Sequence, residues 1–218
     1  MGVRAVLFDL DGTLVDSAED LREALNRLLA EEGLRAVGLA EIKGMIGDGG
    51  TKLLERALAA TGGDPGRAAA LLPRFLSLYE GHAARRTRPY PGVVETLERL
   101  ATAGLRLGCV TNKPSAATAE ILQALGLARF FGAVVGGDVL PRRKPHPDQL
   151  LHAAEALGVA PSETVMVGDN YHDVAAARAA GMGALAVTYG YSHVPHAELG
   201  ADRLLDRFED VLAALPLP

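Results

Sequence analysis

The sequence predicts an α/β fold, a core on a parallel sheet carrying an inserted all-helical cap domain. Three observations carry this expectation. From Pro91 onward, short apolar runs alternate with stretches of helical spacing, the pattern of βαβ units. One apolar run, residues 3–8, stands alone at the N-terminus. Between the two, residues 16–88 show helical spacing and few β-branched residues. The lone strand needs the later strands as partners, so the helical block is an insertion. The expected division is 1–15 and 89–218 for the core and 16–88 for the cap.

The elements follow in order. Residues 3–8 read as a buried parallel strand, free of Gly and Pro. In the insertion, Leu21, Leu25, Leu28 and Leu29 share one helical face. Leu53, Leu54, Ala57 and Leu58 form a second stripe, and Leu71, Leu72, Phe75 and Leu78 a third. Pro89 and Pro91 close the block. Beyond them, helices are expected at 93–103, 114–125, 147–157, 173–180 and 208–215. Strands are expected at 105–110, 133–136, 164–167 and 184–188.

Composition removes several classes of function. At 49% hydrophobic and 22% charged, the chain can bury a core and is not disordered. Aromatics are 5% and Trp is absent, which argues against a stacking platform. A net charge of -5 speaks against nucleic-acid binding. Cys109 is the single cysteine, so no internal disulfide exists, and its predicted buried strand makes it inert core. Acids at Asp9 and Asp11 interrupt any apolar leader, and no run of about 18 apolar residues exists. No membrane partner and a cytoplasmic location are expected. None of the four lysines is preceded by Gly and followed by Ser or Thr, so a P-loop is excluded. No H-E-x-x-H or G-x-S-x-G occurs. Gly47-Asp48-Gly49-Gly50 follows no predicted strand and is not read as a dinucleotide loop.

Ligands of open parallel sheets bind at the carboxyl ends of the strands. After the first strand come Asp9, Asp11, Gly12 and Thr13, and after the next Thr111-Asn112-Lys113. Gly137-Asp138 and then Lys144 follow the third, and Gly168-Asp169 with Asp173 the fourth. Clustered carboxylates need a counter-charge to stay ionised. Their oxygens suit a hard cation such as Mg²⁺. With Lys144, the Thr111 hydroxyl and nearby helix starts, they describe an anion site for phosphate.

At these residues the chain resembles the haloacid dehalogenase superfamily of phosphohydrolases. The resemblance rests on Asp9-Leu10-Asp11-Gly12-Thr13-Leu14, Thr111, Lys144 before Pro145, and Gly168-Asp169 with Asp173, in the family's order. It extends to phosphoglycolate-phosphatase-like members through Pro89-Tyr90-Pro91-Gly92-Val93, Val110-Thr111-Asn112-Lys113-Pro114 and Lys144-Pro145-His146-Pro147-Asp148. The cap segment Ile46-Gly47-Asp48-Gly49-Gly50 is similar too. Asn170 departs from the pattern, where Ser is commoner.

The resemblance implies a Rossmann-like core with a helical-bundle cap. It implies Asp9 as the nucleophile forming an aspartyl-phosphate, and Asp11 as the acid and then the base. Mg²⁺ would be held by Asp9, Asp169 and the Asp11 carbonyl. Thr111, the backbone of Asn112 and Lys144 would hold phosphate, Lys144 neutralising charge on the nucleophile and the transferring group, and Asp173 would orient Lys144 or a metal-bound water. The implied activity is hydrolysis of a small phosphorylated metabolite, with 2-phosphoglycolate the first candidate.

Rival readings are weighed on residues. A phosphomutase of the β-phosphoglucomutase kind usually carries a His early in the cap, and residues 16–21 contain none. A dehalogenase lacks the second acid that Asp11 provides. Pyrophosphate and nucleotide monophosphates stay open as substrates. A non-catalytic phosphate-binding domain would lack the nucleophile or acid, and neither is missing. Nothing in the pattern sets an oligomeric state.

Specificity is expected in the cap. The turn at Gly47, Asp48, Gly49 and Gly50 is expected to face the site, and Lys43 to supply a cation for a substrate carboxylate. Lys52 reads as a solvated lysine. His172 reads as a satisfied surface side chain rather than a ligand, and Arg85, Arg86 and Arg88 as a solvated face or hinge ion pair.

Overall fold

Four consecutive apolar residues at Ala5–Phe8 have no solvent-facing side, so β1 must lie between two strands and beneath cover on both faces. A computed structural model describing residues 2–215 places it there. β1 pairs in parallel with β4 (Arg106–Val110) on one side and β6 (Thr164–Gly168) on the other. β5 (Ala133–Val135), β7 (Gly183–Val187) and β8 (Arg203–Leu205) complete a six-stranded sheet in the order β5-β4-β1-β6-β7-β8. All its pairings are parallel. The order reverses at β1, because the chain runs outward through β4 and β5, then returns to β6 on the far side. That switch point opens the crevice in which ligands of such sheets bind.

Helices cover both faces. Helices α5 (Val93–Thr102), α6 (Ser115–Ala124), α7 (Asp148–Leu157), α8 (Tyr171–Ala180) and the short α9 (Val211–Ala214) belong to this part. Two apolar clusters result, one containing Phe8 and Val167 and the other Leu7, Met166 and Ala184, as alternating side chains require. The inserted segment supplies α1 (Ala18–Glu31), α2 (Leu39–Lys43), α3 (Gly50–Thr61) and α4 (Ala68–Tyr79). Its three leucine stripes bury against one another: α1 packs on α4, and α3 on α4. The core range expected from sequence runs from 1 to 218, of which Met1 and residues 216–218 lie outside the described residues.

Several local features depart from expectation. Residues 15–16 and 88–89 form β2 (Val15–Asp16) and β3 (Arg88–Pro89), an antiparallel ribbon where the chain enters and leaves the insertion. Strands of two residues show no alternation, so the sequence could not announce them. The buried Asp20 of α1 closes the same junction. Its carboxylate accepts hydrogen bonds from the Arg86 and Thr87 backbone N–H groups and from the Thr87 hydroxyl. Three-residue β8 was not expected either. The terminal helix splits into a 3₁₀ turn (Phe208–Asp210) and α9. α8 begins at Tyr171 rather than residue 173, because the Asn170 side chain caps it by accepting from the Tyr171 N–H at 2.7 Å.

Candidate active site

The chain leaves β1 at Asp9, whose buried carboxylate accepts from the Leu10 N–H at 2.7 Å and lies 2.9 Å from Lys144 Nζ. The turn that follows closes with the Gly12 N–H donating to the Val15 carbonyl at 2.9 Å. Gly12 has φ 86°, and a Cβ there would stand 2.3 Å from Asp169 Oδ2, so the turn and the approach of Asp169 both require glycine. Asp11 projects from this turn. It accepts from Ser17 Oγ at 2.5 Å and from Lys113 Nζ at 3.1 and 3.2 Å.

Lys144, in the loop between β5 and α7, is buried. Its ammonium donates to the Val110 carbonyl and to Asp173 Oδ1, both at 2.7 Å, and pairs with Asp9. Gln149 of α7 sets that loop. It accepts from the Lys144 N–H at 2.8 Å, and its amide donates to the carbonyls of Thr111 and Gly136 at 3.0 Å. Asp169, at the end of β6, accepts from the Tyr191 N–H at 2.5 Å and from the Thr13 hydroxyl at 3.3 Å. Asp173 does two jobs. One oxygen accepts from the Asn170 N–H at the start of α8, the other from Lys144. Thr111 and Asn112 stand buried at the end of β4.

Carboxylate oxygens of Asp9, Asp169 and Asp173 all fall within 4.8 Å of one another. Burial pushes Asp9 up to about 6, against the pull of Lys144. Burial, with Asp173 and Asp9 beside it, drives Asp169 well above the usual carboxylate range. Lys144 is held above its ordinary value, because the charges of Asp173 and Asp9 outweigh the cost of burial. Three buried acids against one ammonium leave a negative excess, and every ligand atom offered is a carboxylate oxygen. This donor set fits a hard divalent cation.

A cavity opens above the cluster. Asp9, Asp11, Thr111, Asn112 and Lys113 line it from the sheet side, and Gly47, Gly49, Gly50, Leu53, Phe75 and Tyr79 from the insertion. The Gly47 carbonyl accepts from the Asn112 amide at 3.0 Å, and the same amide donates to the Lys144 carbonyl. Gly49 has φ 85°, and a Cβ there would meet the Arg143 guanidinium at 2.2 Å. Asp48 does not line the cavity. It turns aside to His172 Nε2 and Arg56, both at 2.5 Å. Those partners hold its carboxyl well below the usual range although burial alone would raise it.

Two residues expected at the site, Asp48 and Lys43, stand outside the cavity lining. Lys43 does not line the cavity. Its ammonium pairs with Asp16 at 3.0 Å and lies 5.4 Å from the centre of the Tyr191 ring. Asp16, in β2 of the ribbon, is its ion-pair partner. Lys52 pairs with Glu55 on the surface. His172 binds Asp48, and Arg88 donates to the carbonyls of Arg85 and Thr87. Sequence reasoning missed Lys113, Tyr79 and Gln149. Lys113 was within reach, since it follows a strand end directly and is one of four lysines. Tyr79 and Gln149 sit on helices whose stripes gave them no distinction.

A parallel sheet with four acids and a lysine at its switch point, facing an inserted helical bundle, defines a class of hydrolase. The model of the haloacid dehalogenase-like hydrolases matches residues 6–187, and the chain belongs to that family. Within it the chain is similar to phosphoglycolate phosphatases, which makes it an enzyme of the phosphoric monoester hydrolase kind. It is 42% identical over 208 residues to the phosphoglycolate phosphatase of Caulobacter vibrioides, covering 94% of this chain and 88% of the relative. Among solved structures, a predicted phosphoglycolate phosphatase from Haemophilus somnus superposes with a TM-score of 0.91 at 33% identity, covering 97% of each chain. CbbY from Rhodobacter sphaeroides, solved with xylulose-1,5-bisphosphate, superposes with a TM-score of 0.78 at 29% identity, covering 99% of this chain and 100% of that one.

Proposed function

We propose that the protein is a Mg²⁺-dependent phosphatase that hydrolyses a short phosphorylated metabolite through an aspartyl-phosphate, with 2-phosphoglycolate as the first candidate. The observation that carries the reading is the buried grouping of Asp9, Asp169, Asp173 and Lys144 beneath a cavity that also admits Asp11. In this reading residues 1–15 and 89–218 are the catalytic core and 16–88 the cap.

Asp9 is the nucleophile. Its carboxylate attacks phosphorus, a P–O bond forms to Asp9, and the bond to the leaving oxygen breaks. Asp11 donates a proton to that oxygen, then takes one from the water that attacks the aspartyl-phosphate. Lys144 offsets charge on Asp9 and on the transferring group, and Asp173 holds Lys144 in place. The Thr111 hydroxyl and the Asn112 backbone N–H receive phosphate oxygens. Asp9, Asp169 and the Asp11 carbonyl would hold the cation, which would supply positive charge to offset the carboxylates and the phosphoryl oxygens. The chain's own contribution is largely positioning and electrostatics, as phosphoryl transfer requires.

The cavity supports a small substrate. About 50 Å³ of it is open to a water-sized sphere, in a cleft partly open to solvent, and one water needs roughly 10–15 Å³ of such space. A two-carbon group fits that space better than a sugar. A screen of phosphorylated metabolites ranked by kcat/KM, with Mg²⁺ and then with EDTA, tests the reading. Activity should require Mg²⁺ and favour two- and three-carbon phosphates. Full activity after thorough chelation, or a clear preference for hexose phosphates, would overturn it.

A further inference from the structure

We propose that Lys113 and Tyr79 together form the subsite that reads the carboxylate of the substrate, so that selection for phosphorylated carboxylic acids resides in this pair. The proposal rests on the phosphatase reading and adds to it the residues that choose the substrate.

Lys113 is the one Lys or Arg lining the cavity among the described residues. Its side chain is 3% exposed, although it belongs to neither a core stripe nor the acid cluster. An ammonium has three N–H donors. The contacts at 3.1 and 3.2 Å both go to Asp11, one to each carboxylate oxygen. On the side of the insertion it lies 4.8 Å from the centre of the Tyr79 ring. It therefore faces the proton-transfer residue on one side and the insertion on the other.

Tyr79 supplies the second, independent observation. It ends α4, is 2% exposed and lines the same cavity, and its hydroxyl makes no hydrogen bond within 3.5 Å among the described residues, the Lys113 ammonium being its charged neighbour. A buried hydroxyl without a partner carries a penalty that an arriving acceptor would relieve. Its ring is fixed by stacking on Phe75, at 6.0 Å between centroids and 6° between planes. The surrounding wall is apolar: Leu21, Leu53, Phe75 and Leu76. A carboxylate there meets one cation and one unsatisfied donor in a dry setting, where charge-assisted hydrogen bonds are strong. A neutral alkyl group gains only apolar contact, leaves the Tyr79 hydroxyl unmet and adds nothing to the ion pair of Lys113 with Asp11. Lys43, Lys52 and Arg56 of the insertion are paired elsewhere, with Asp16, Glu55 and Asp48.

The competing role for Lys113 is to hold Asp11 alone. Two ligands separate the roles: 2-phosphoglycolate, and ethyl phosphate, which lacks the carboxylate but shares the poor leaving group. Affinities are measured by calorimetry with Mg²⁺ in the Asp9→Asn background, so the result does not depend on turnover. Lys113→Met should reduce the preference for 2-phosphoglycolate over ethyl phosphate by about tenfold or more, as loss of a charge-assisted bond implies. Tyr79→Phe should reduce it by about two- to fivefold. Tyr79→Phe keeps the ring and decides the matter should Lys113→Met fail to fold. Equal losses on both ligands would assign Lys113 to Asp11 and overturn the proposal. So would an unchanged preference, or no preference in the parent protein. Turnover of any phosphate monoester by the wild type with Mg²⁺ is scored separately. That turnover alone decides the phosphatase reading.

Discussion

The two walls of the cavity differ in kind. The sheet wall presents acids, a buried lysine and strand-end hydroxyl and amide groups, each tied to neighbours by short hydrogen bonds. The insertion wall presents leucines, stacked aromatics and a turn of glycine backbone. Charge is concentrated where bonds would break, and the opposite face is dry and shaped. The contrast teaches that loss of chemistry and loss of selectivity should map to different walls. Lys113 is the exception, a cation on the sheet side that touches both.

The largest effect is expected on the sheet wall. Asp9→Asn removes the carboxylate that would carry the phosphoryl group. Turnover should fall at least about 10³-fold, while circular dichroism stays native. A folded variant keeping a tenth of wild-type kcat would remove Asp9 from the nucleophile's place. Asp11→Asn comes next, at about 10²-fold for an alkyl phosphate. An aryl phosphate, whose leaving group needs no proton, should lose less in the first step. Equal small losses on both substrates would give Asp11 another role.

The insertion wall should respond in stability before chemistry. Leu54 is fully buried within the helical block, and Leu54→Ala should cost about 2–5 kcal/mol, read from the urea midpoint. At temperatures where the variant stays folded, its kcat on an aryl phosphate should lie within about threefold of wild type. A collapse of kcat there would show that the walls are not separable.

The smallest effect tests the contact between them. Asp48 is held below its ordinary value of 3.8 by His172 and Arg56. A depressed carboxyl contributes stability that is complete above the unfolded value and lost as pH falls through the folded one. The melting-temperature gap between wild type and Asp48→Asn should thus be fully open at about pH 5 and shrink as pH falls below 3.8. A gap constant from pH 5 to pH 3 would mean that the ion pair contributes nothing.

Much was legible because it is local in the chain. β1, β4 and β6 announce themselves as apolar runs, and Asp9, Thr111 and Asp169 follow them directly. A parallel sheet must gather such strand ends on one edge, so three distant segments could be placed together from spacing alone. The leucine stripes likewise marked which face of α1, α3 and α4 is buried. Periodicity gives a helix its inner face but says nothing about how a helical bundle is rotated over a distant sheet. Only the tertiary structure decided that Lys43 meets Asp16, that Asp48 turns to His172, and that Tyr79 comes to rest beside Lys113. Those partners lie 27 to 124 residues apart in sequence, on elements joined by no pairing pattern, and their meeting depends on the packing of whole surfaces.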